Sequence, residues 1–394
     1  MDIMKIGVIG CGGFAQMHHR VIRDLEAEGG CRLVWTCDPD AAVRDAAAAK
    51  FGFAERGVAV GTDYREMLER FAPAGLDIVT LPTPVPLHAA MHRACVERGV
   101  AAYLEKPPTL DLAELREMLV VEAGARKATQ VGFNFIGQAA RRRLKERLLA
   151  GEFGRLRRVT FRGIWPRSTA YFLRSNWAGR REMNGRLVLD SCLTNAMAHF
   201  VHNLLFWCGT DGLDSWARAG KIRCRMERAH DIETADTVFL LAESAAGVEI
   251  RIAMTHAVAG EQEDEEQVEC DRAVITYRET APPGLAHRFT VAPADGGPVE
   301  DLPTEADIFL ENLRHYVEYV RGGQPRPRTL LADCAPFVEF CNAAFAAAGP
   351  ATVIPRMSQL ISPIPDGTPG ELREIPGIRD ACRRLVETGR FPAR

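Results

Sequence analysis

The sequence predicts an α/β domain with a doubly wound parallel sheet, followed by an α+β domain with a large open, mostly antiparallel sheet. Three observations predict it. At 394 residues the chain is longer than one core fills, since cores stop growing near about 250–300 residues. The first third alternates short apolar runs with stretches of helical spacing, and strands separated by helices pair in parallel through right-handed crossovers. After about residue 134 the apolar pattern changes to strict period two, the mark of strands with one covered face.

Strand-like runs occupy 4–10, 31–37, 76–81, 100–104 and 128–133. Met17, Val21, Ile22 and Leu25 fall on one helical face, and Asp63 with Glu66 and Asp111 with Glu114 read as capping boxes that open helices. In the second domain, Val159, Phe161, Gly163 and Trp165 alternate with Arg158, Thr160 and Arg162, and Val248, Ile250, Ile252 and Met254 alternate with Glu249 and Arg251. Each row predicts a strand with one buried and one exposed face, the exposed face being solvated or paired with another subunit. Residues 196–207, 305–321 and 329–347 have helical spacing. The expected divisions are 1–133, 134–355, and a Pro/Gly-rich C-terminal tail with a short helix over 356–394.

Bulk properties exclude several functions. A net charge of −3 offers no basic face for nucleic acid or an anionic membrane. No apolar run approaches the roughly 20 residues of a membrane-spanning helix. Met1 runs directly into the strand-like Lys5–Gly10, which does not read as a secretion signal. Eleven cysteines contain no C-x-x-C pair and read as reduced thiols, so a cytoplasmic location is expected. The acidic run Glu261–Glu266 is expected to be a solvated loop.

Chemistry enters with Gly10-Cys11-Gly12-Gly13-Phe14-Ala15, a G-x-G-x-x-A turn between the first strand and first helix. Gly10 permits the tight turn, Gly12 lets a pyrophosphate approach the backbone, and Ala15 permits close helix packing, with Gly13 and Phe14 completing the loop. The helix N-terminus then offers N–H groups to phosphates. Asp38 ends the second strand, where a carboxylate accepts from ribose hydroxyls and repels a 2′-phosphate. Pro39 and Asp40 follow rather than an arginine, so NAD is expected in preference to NADP.

Three further segments carry a resemblance: Leu81-Pro82-Thr83-Pro84 followed by His88, then Glu105-Lys106-Pro107, then Gly132-Phe133-Asn134. With the glycine loop they resemble the Gfo/Idh/MocA family of glucose–fructose oxidoreductase and inositol dehydrogenase-like enzymes, in which the first domain is a Rossmann domain. The resemblance implies hydride transfer between a nicotinamide and a polyhydroxylated substrate, without a metal. It places Lys106 beside the reacting carbon, in a cleft between domains, and makes Thr83 and Glu105 cofactor contacts and Asn134 a substrate contact. The chemistry independently asks for such a lysine, because an ammonium stabilises alkoxide character as an alcohol is oxidised.

The family motif Asp-x-x-x-His-x-x-Asp is altered in the second domain. Within Leu189–His202, anchoring on Asp190 puts Thr194 at the histidine position. Anchoring on the helix end at Phe206–Gly209 puts His199 there, with Asn195 and His202 replacing the two aspartates. The second register is preferred, because 195, 199 and 202 share one helical face. It makes His199 the proton carrier and Asn195 its orienting partner, and places Asp190 and His202 beside substrate. His199, His202 and Asp190 also admit a zinc reading, which the family does not favour. Trp165, Arg167, Tyr171, Arg174, Asn176 and Trp177 form an aromatic and arginine cluster suited to a sugar's C–H face and its hydroxyls or a carboxylate. His256 continues the parity of the buried row and is expected in the core.

The expected function is an NAD-dependent oxidoreductase acting on a sugar, cyclitol or sugar derivative, working as a homodimer or homotetramer through the second-domain sheet. The alternatives are redox-assisted lyase or glycosidase chemistry on tightly bound NAD, and a non-catalytic dinucleotide-binding regulator.

Overall fold

The computed structural model describes residues 3–278 and 288–393. The chain forms two compact units, Met1–Gly137 with Asp307–Ala335, and Gln138–Ala306 with Pro336–Arg394.

In the first unit, β1 (Met4–Ile9), β2 (Cys31–Cys37), β3 (Ala59–Gly61), β4 (Ile78–Leu81), β5 (Ala101–Leu104) and β6 (Gln130–Val131) make one sheet in the order β3-β2-β1-β4-β5-β6. Every pairing is parallel. The intervening helices are α1 (Ala15–Ala27), α2 (Ala41–Phe51), α3 (Tyr64–Phe71), α4 (His88–Val96) and α5 (Leu112–Glu122). Asp40, Asp63 and Asp111 cap α2, α3 and α5 by accepting from first-turn N–H groups. Strand order reverses between β1 and β4, so ligands are expected at the carboxyl ends of those strands. The expected parallel sheet is present, with one addition. The three-residue β3 at the edge is too short to show a pattern in the sequence.

The second unit opens with α6 (Ala139–Leu149) and β7 (Leu156–Ile164), followed by α7 (Thr169–Phe172) and the small hairpin β8 (Glu182–Met183) and β9 (Arg186–Leu187). A π turn over Cys192–Ala196 leads into α8 (Ala198–Cys208). Strands β10 (Ala219–Arg228), β11 (Thr237–Ser244), β12 (Glu249–Thr255), β13 (Glu263–Cys270), β14 (Ala273–Arg278), β15 (Arg288–Pro293) and β16 (Glu300–Pro303) follow. The chain then returns to the first unit as α9 (Ile308–Arg321). It finishes in the second with α10 (Ala335–Ala348), β17 (Thr352–Val353), the hairpin β18 (Leu360–Pro363) and β19 (Glu371–Glu374), and α11 (Ile378–Thr388). The main sheet has nine strands, ordered β16-β15-β14-β13-β7-β12-β11-β10-β17, mostly antiparallel, with parallel pairings at β7–β12 and β10–β17.

Three sequence expectations change here. Residues 307–335 lie in the first unit, whereas chain order had grouped them with the second. Leu313, Tyr316 and Val317 of α9 join the core of β1 and α1, and the Tyr316 hydroxyl donates to the Ala102 carbonyl at 2.9 Å. Strand β12 is covered on both faces, so Arg251 and Ala253 are buried along with Ile250 and Ile252. The helix α11 causes this. Its Ile378, Cys382 and Leu385 pack on Ala253, Phe239 and Leu241, and Arg251 Nη1 donates to the α11 carbonyls of Val386 and Glu387 at 2.8 and 2.7 Å. The chain's own C-terminal helix therefore takes part of the sheet face on which a subunit contact was expected.

The third change is the acidic run, which forms β13 rather than a loop. Glu263 and Glu265 pair with arginines on one face, including Arg162 at 2.8 Å from Glu263. Glu266 points inward and is 1% exposed. It survives there because its oxygens accept from Arg141, from Asn203 Nδ2 at 2.9 Å and from Trp207 Nε1 at 2.5 Å. The Arg141 guanidinium sits 5.0 Å from the Phe289 ring and 5.2 Å from the Tyr277 ring, so the buried cation is satisfied as well.

Two predictions follow from these buried groups. Glu266→Leu leaves Arg141 buried without its anion and is expected to cost about 3–5 kcal/mol in urea unfolding. The double variant Arg141→Met/Glu266→Leu should recover much of that loss. In the first unit, His19 is fully buried, with Nε2 3.1 Å from the Gly10 carbonyl oxygen, and burial lowers its imidazole to about 4. The folded state takes up this proton later than the unfolded one, so stability present above about pH 6.5 is lost as pH falls towards about 4. The loss is at most about 3 kcal/mol, and His19→Gln should flatten that part of the stability–pH curve.

Candidate functional site

Each unit carries one half of the expected machinery. In the first, the glycine loop is held from beneath. Gly10 takes φ +115°, which its missing Cβ permits, and its N–H donates to the Cys37 carbonyl at 2.7 Å. A Cβ on Gly12 would stand 2.9 Å from Val43 Cγ1, so the loop lies against α2 as closely as glycine allows. Ala15 is fully buried at the start of α1, and no side chain caps that helix, leaving its N-terminus as an anion-binding end. Gly13 has φ +51° with open space around it, and Phe14 is exposed, edge-on to Phe309 at 5.6 Å.

Asp38 is tied to this loop. Its Oδ2 accepts from Cys11 N at 3.0 Å and its Oδ1 from Asp40 N at 3.0 Å. The carboxylate is thereby fixed at the end of β2, beside the glycine turn, with lone pairs to spare for ribose hydroxyls. Arg44 Nη1 donates to the Asp38 carbonyl at 2.6 Å, so an arginine does stand at this corner. It lies six residues beyond Asp38, on α2, where inspection of the next few residues does not find it.

Thr83 follows β4, and its methyl would lie 3.8 Å from a Cβ on Gly10. His88 pins this loop. Its Nε2 is 2.8 Å from the Thr83 carbonyl oxygen, and its Nδ1 is 3.1 Å from the carbonyl oxygens of both Pro107 and Pro108. Burial lowers its pKa. Glu105 is buried at the end of β5. Its Oε1 is 3.0 Å from His18 Nε2 and its Oε2 accepts from Lys106 N at 3.2 Å. A Cβ on Gly132 would lie 2.7 Å from Glu105 Oε1, which explains the glycine there. Lys106 itself is half-buried. His18 was not anticipated; its signal is its place on α1, one turn after Ala15. Asn134 is fully buried, its Oδ1 accepting from Tyr103 Oη at 2.7 Å and Asn312 Nδ2 at 2.5 Å. Those bonds make it an interior link rather than a surface offered to substrate.

In the second unit the π turn places Asn195 at the foot of α8, with Met197 N closing onto the Cys192 carbonyl at 3.1 Å. Such turns recur at functional sites. Asn195 and His199 are both half-buried. Asp190 is 5% exposed, and its Oδ1 accepts from Asn195 Nδ2 at 2.6 Å while its Oδ2 accepts from Gly179 N at 2.6 Å. The two competing registers of the motif thus converge in space. Asn195 stands where an aspartate was expected, and Asp190 supplies the charge from five residues earlier.

His202 does not join them at a surface. It is fully buried, 5.1 Å from the Trp216 ring, whose Nε1 donates to its Nδ1 at 3.3 Å. His199 and His202 lie on the same unbroken α8, where His202 packs against Trp216 and Phe337, and the π turn puts only Asn195 out of phase with that helix. Thr194 closes a capping box with Ser191 and is fully buried. Among the described residues no group of three or more His, Cys, Asp or Glu is placed to hold a metal. His256 is buried, with Nδ1 2.8 Å from the Trp165 carbonyl oxygen; burial, aided by the Arg167 charge, lowers it to about 3 and keeps it neutral. Two guanidiniums lie over the Tyr171 ring, Arg174 at 3.8 Å and Arg167 at 5.1 Å from its centre.

Residues 4–133 match the family described as "Oxidoreductase family, NAD-binding Rossmann fold" (GFO_IDH_MocA), in agreement with the expected nicotinamide dinucleotide. D-apiose dehydrogenase of Paraburkholderia graminis is 31% identical over 163 residues, 41% of this chain and 41% of that protein. Inositol 2-dehydrogenase of Burkholderia cenocepacia is 26% identical over 252 residues, 63% of this chain and 66% of that protein. The chain therefore matches less than two thirds of the length of these curated relatives. The WlbA dehydrogenase of Bordetella pertussis, solved with NADH and UDP-GlcNAcA, shares the fold with a TM-score of 0.69 at 20% identity, over 88% of this chain and 97% of that one. The likeness to the Gfo/Idh/MocA oxidoreductase family is thus carried by residues 4–133, its NAD-binding Rossmann fold.

Proposed function

We propose that the chain is an NAD-dependent oxidoreductase that transfers a hydride between nicotinamide and a hydroxyl or keto carbon of a sugar, cyclitol or sugar derivative. The observation that carries this reading is the carboxyl edge of the first sheet. There the glycine turn, Asp38 and the Glu105–Lys106 step are fixed by buried hydrogen bonds on strands flanking the switch point. The cradle fits the cofactor, because Gly12 has no room for a side chain and Asp38 is fixed beside the turn. Gly10, Gly12, Gly13, Phe14 and Ala15 would hold the pyrophosphate, Asp38 the adenosine ribose, and Thr83 and Glu105 would line the nicotinamide end. NAD, when bound, supplies the hydride acceptor or donor.

The chain's own residues handle the proton and the charge. Lys106 donates a hydrogen bond to the substrate oxygen and stabilises alkoxide character as the C–H bond breaks. His199 takes the hydroxyl proton in oxidation and returns it in reduction. Asn195, held by Asp190, orients substrate or imidazole. Trp165, Tyr171 and Arg174 are assigned to substrate. NAD is preferred to NADP because a 2′-phosphate would meet the Asp38 carboxylate, although Arg44 stands close to it. Eleven unpaired thiols support a cytoplasmic location. A homo-oligomer would use the strands of the large sheet that α11 leaves open.

The test is a panel of sugars and cyclitols with NAD⁺ and NADP⁺, followed by NADH absorbance. Lys106→Ala is expected to lower kcat by about 10²–10⁴ while changing NAD⁺ affinity far less. Asp38→Ala should raise the NADP⁺/NAD⁺ ratio of kcat/KM by about tenfold or more, since it removes the repulsion and leaves Arg44 in place. Turnover of substrate without net NADH would instead favour elimination chemistry on a retained cofactor, and unchanged function in Lys106→Ala would defeat the enzyme reading.

A further inference from the structure

We propose that the substrate carries an oxyanion, a carboxylate or a phosphate ester, and that Arg167 with Arg174 recognises it. The inference rests on the reading that the second unit binds a polyhydroxylated substrate, and it narrows that substrate's class.

Arginines in this unit that are withdrawn from solvent mostly have a carboxylate. Arg141 has Glu266, Arg142 has Asp214, Arg158 has Glu269, Arg162 has Glu263 and Arg251 has Glu249. Arg167 is half-buried and has none among the described residues. Its Nη1 donates to the Pro166 carbonyl at 3.1 Å, and its Nε is buried without a hydrogen-bond partner. Its guanidinium carbon lies 5.5 Å from the Trp165 ring and 5.1 Å from the Tyr171 ring. Arg174 lies 3.8 Å from the same ring and 5.0 Å from that of Trp177. Stacking on aromatic faces fixes two planar forks in advance, which lowers the entropy lost when an oxyanion is gripped.

The ladder leads to the proposed proton-handling residues. Arg174 Nη2 is 3.8 Å from Asp190 Oδ2, and Asp190 holds Asn195. Arg174 thus faces a carboxylate already engaged by Gly179 and Asn195, His256 is neutral, and the other buried carboxylate near His256, Asp236, is taken up by His230 and the Ala229 and His230 N–H groups. Neither carboxylate pairs with Arg167, which is left for an anion brought by the ligand. A neutral sugar covering Arg167 would strip water from a cation and return only dipoles, which costs binding. The same residue therefore favours anionic substrates and rejects neutral ones.

The experiment uses matched series with NAD⁺: D-glucose, D-glucuronate and D-glucose 6-phosphate, and D-galactose, D-galacturonate and D-galactose 6-phosphate. Anionic members are expected to exceed their neutral partner in kcat/KM by about ten- to hundredfold. Arg167→Leu should erase that preference by lowering only the anionic members, and Arg167→Lys should keep part of it. Preference for the uronate or for the phosphate tells the two oxyanions apart. Equal turnover of neutral and anionic members, or equal loss of both in Arg167→Leu, overturns the proposal. If nothing is turned over, the oxidoreductase reading fails separately, and tryptophan fluorescence still decides this one, since Trp165 and Trp177 flank the arginines. Saturable quenching by glucuronate or glucose 6-phosphate, absent with glucose and lost in Arg167→Leu, supports the site, while no anion-dependent quenching overturns it. Circular dichroism of each variant confirms that the fold is intact.

Discussion

A single buried carboxylate, Glu105, holds the working edge of the first sheet together. Its two oxygens tie α1 to the end of β5 through His18 and the Lys106 N–H, and it fills the space that a side chain at 132 would need. A carboxyl group with so little exposure persists only where hydrogen-bonding partners reach it. Once those partners are in place, the chain leaving β5, the chain leaving β6 and the helix that follows the glycine turn hold fixed relative positions. Lys106 inherits its backbone position from that arrangement, and the glycine loop inherits its backing. His88 repeats the device one strand away, joining the loop after β4 to the segment after Lys106 through three carbonyls.

The second unit uses the same means for a different end. Glu266 anchors α6 and α8 to β13 through Arg141, Asn203 and Trp207, so the sheet and its helices share one saturated ion pair. Asp190 is also buried, but its contacts run towards Asn195 and Arg174. The contrast is in saturation. Around Glu266 both charges are matched and the cluster is closed. Near Asp190, Arg167 has no carboxylate among the described residues, and an unmatched cation at the edge of a core is costly unless something else is bound there.

Much of this was legible from the sequence, and the reasons for the rest are physical. Strands β1, β2, β4 and β5 and the glycine turn show in the sequence because a parallel strand covered on both faces must be apolar throughout, and a pyrophosphate turn must lack side chains. The place of α9 was not legible, because its apolar face says only that it packs, not against which unit. The acidic strand β13 escaped notice because burial of Glu266 depends on Arg141, which lies 125 residues earlier in the chain. The covered face of β12 escaped for a similar reason, since α11 reaches it from the far end of the chain. His202 was grouped with His199 on the assumption of one unbroken α-helix. Both do lie on one continuous helix, but α8 turns His202 onto Trp216, a partner that helical spacing does not reveal, and the π turn at 192–196 offsets only Asn195.

That turn also changes what the replacement of aspartate by asparagine means. Read along the sequence, Asn195 subtracts a negative charge from the neighbourhood of His199. In the folded chain its amide donates to Asp190, so the charge is moved outward by one side chain rather than removed. There it meets Arg174, which is stacked on Tyr171, with Arg167 over the same ring. An aspartate at 195 would hold its charge for the histidine. The arrangement here shares Asp190 between the asparagine and Arg174, and Arg167 is left without a carboxylate among the described residues. On the proposed reading, the asparagine at 195 and the preference for an anionic ligand both follow from where Asp190 holds its charge.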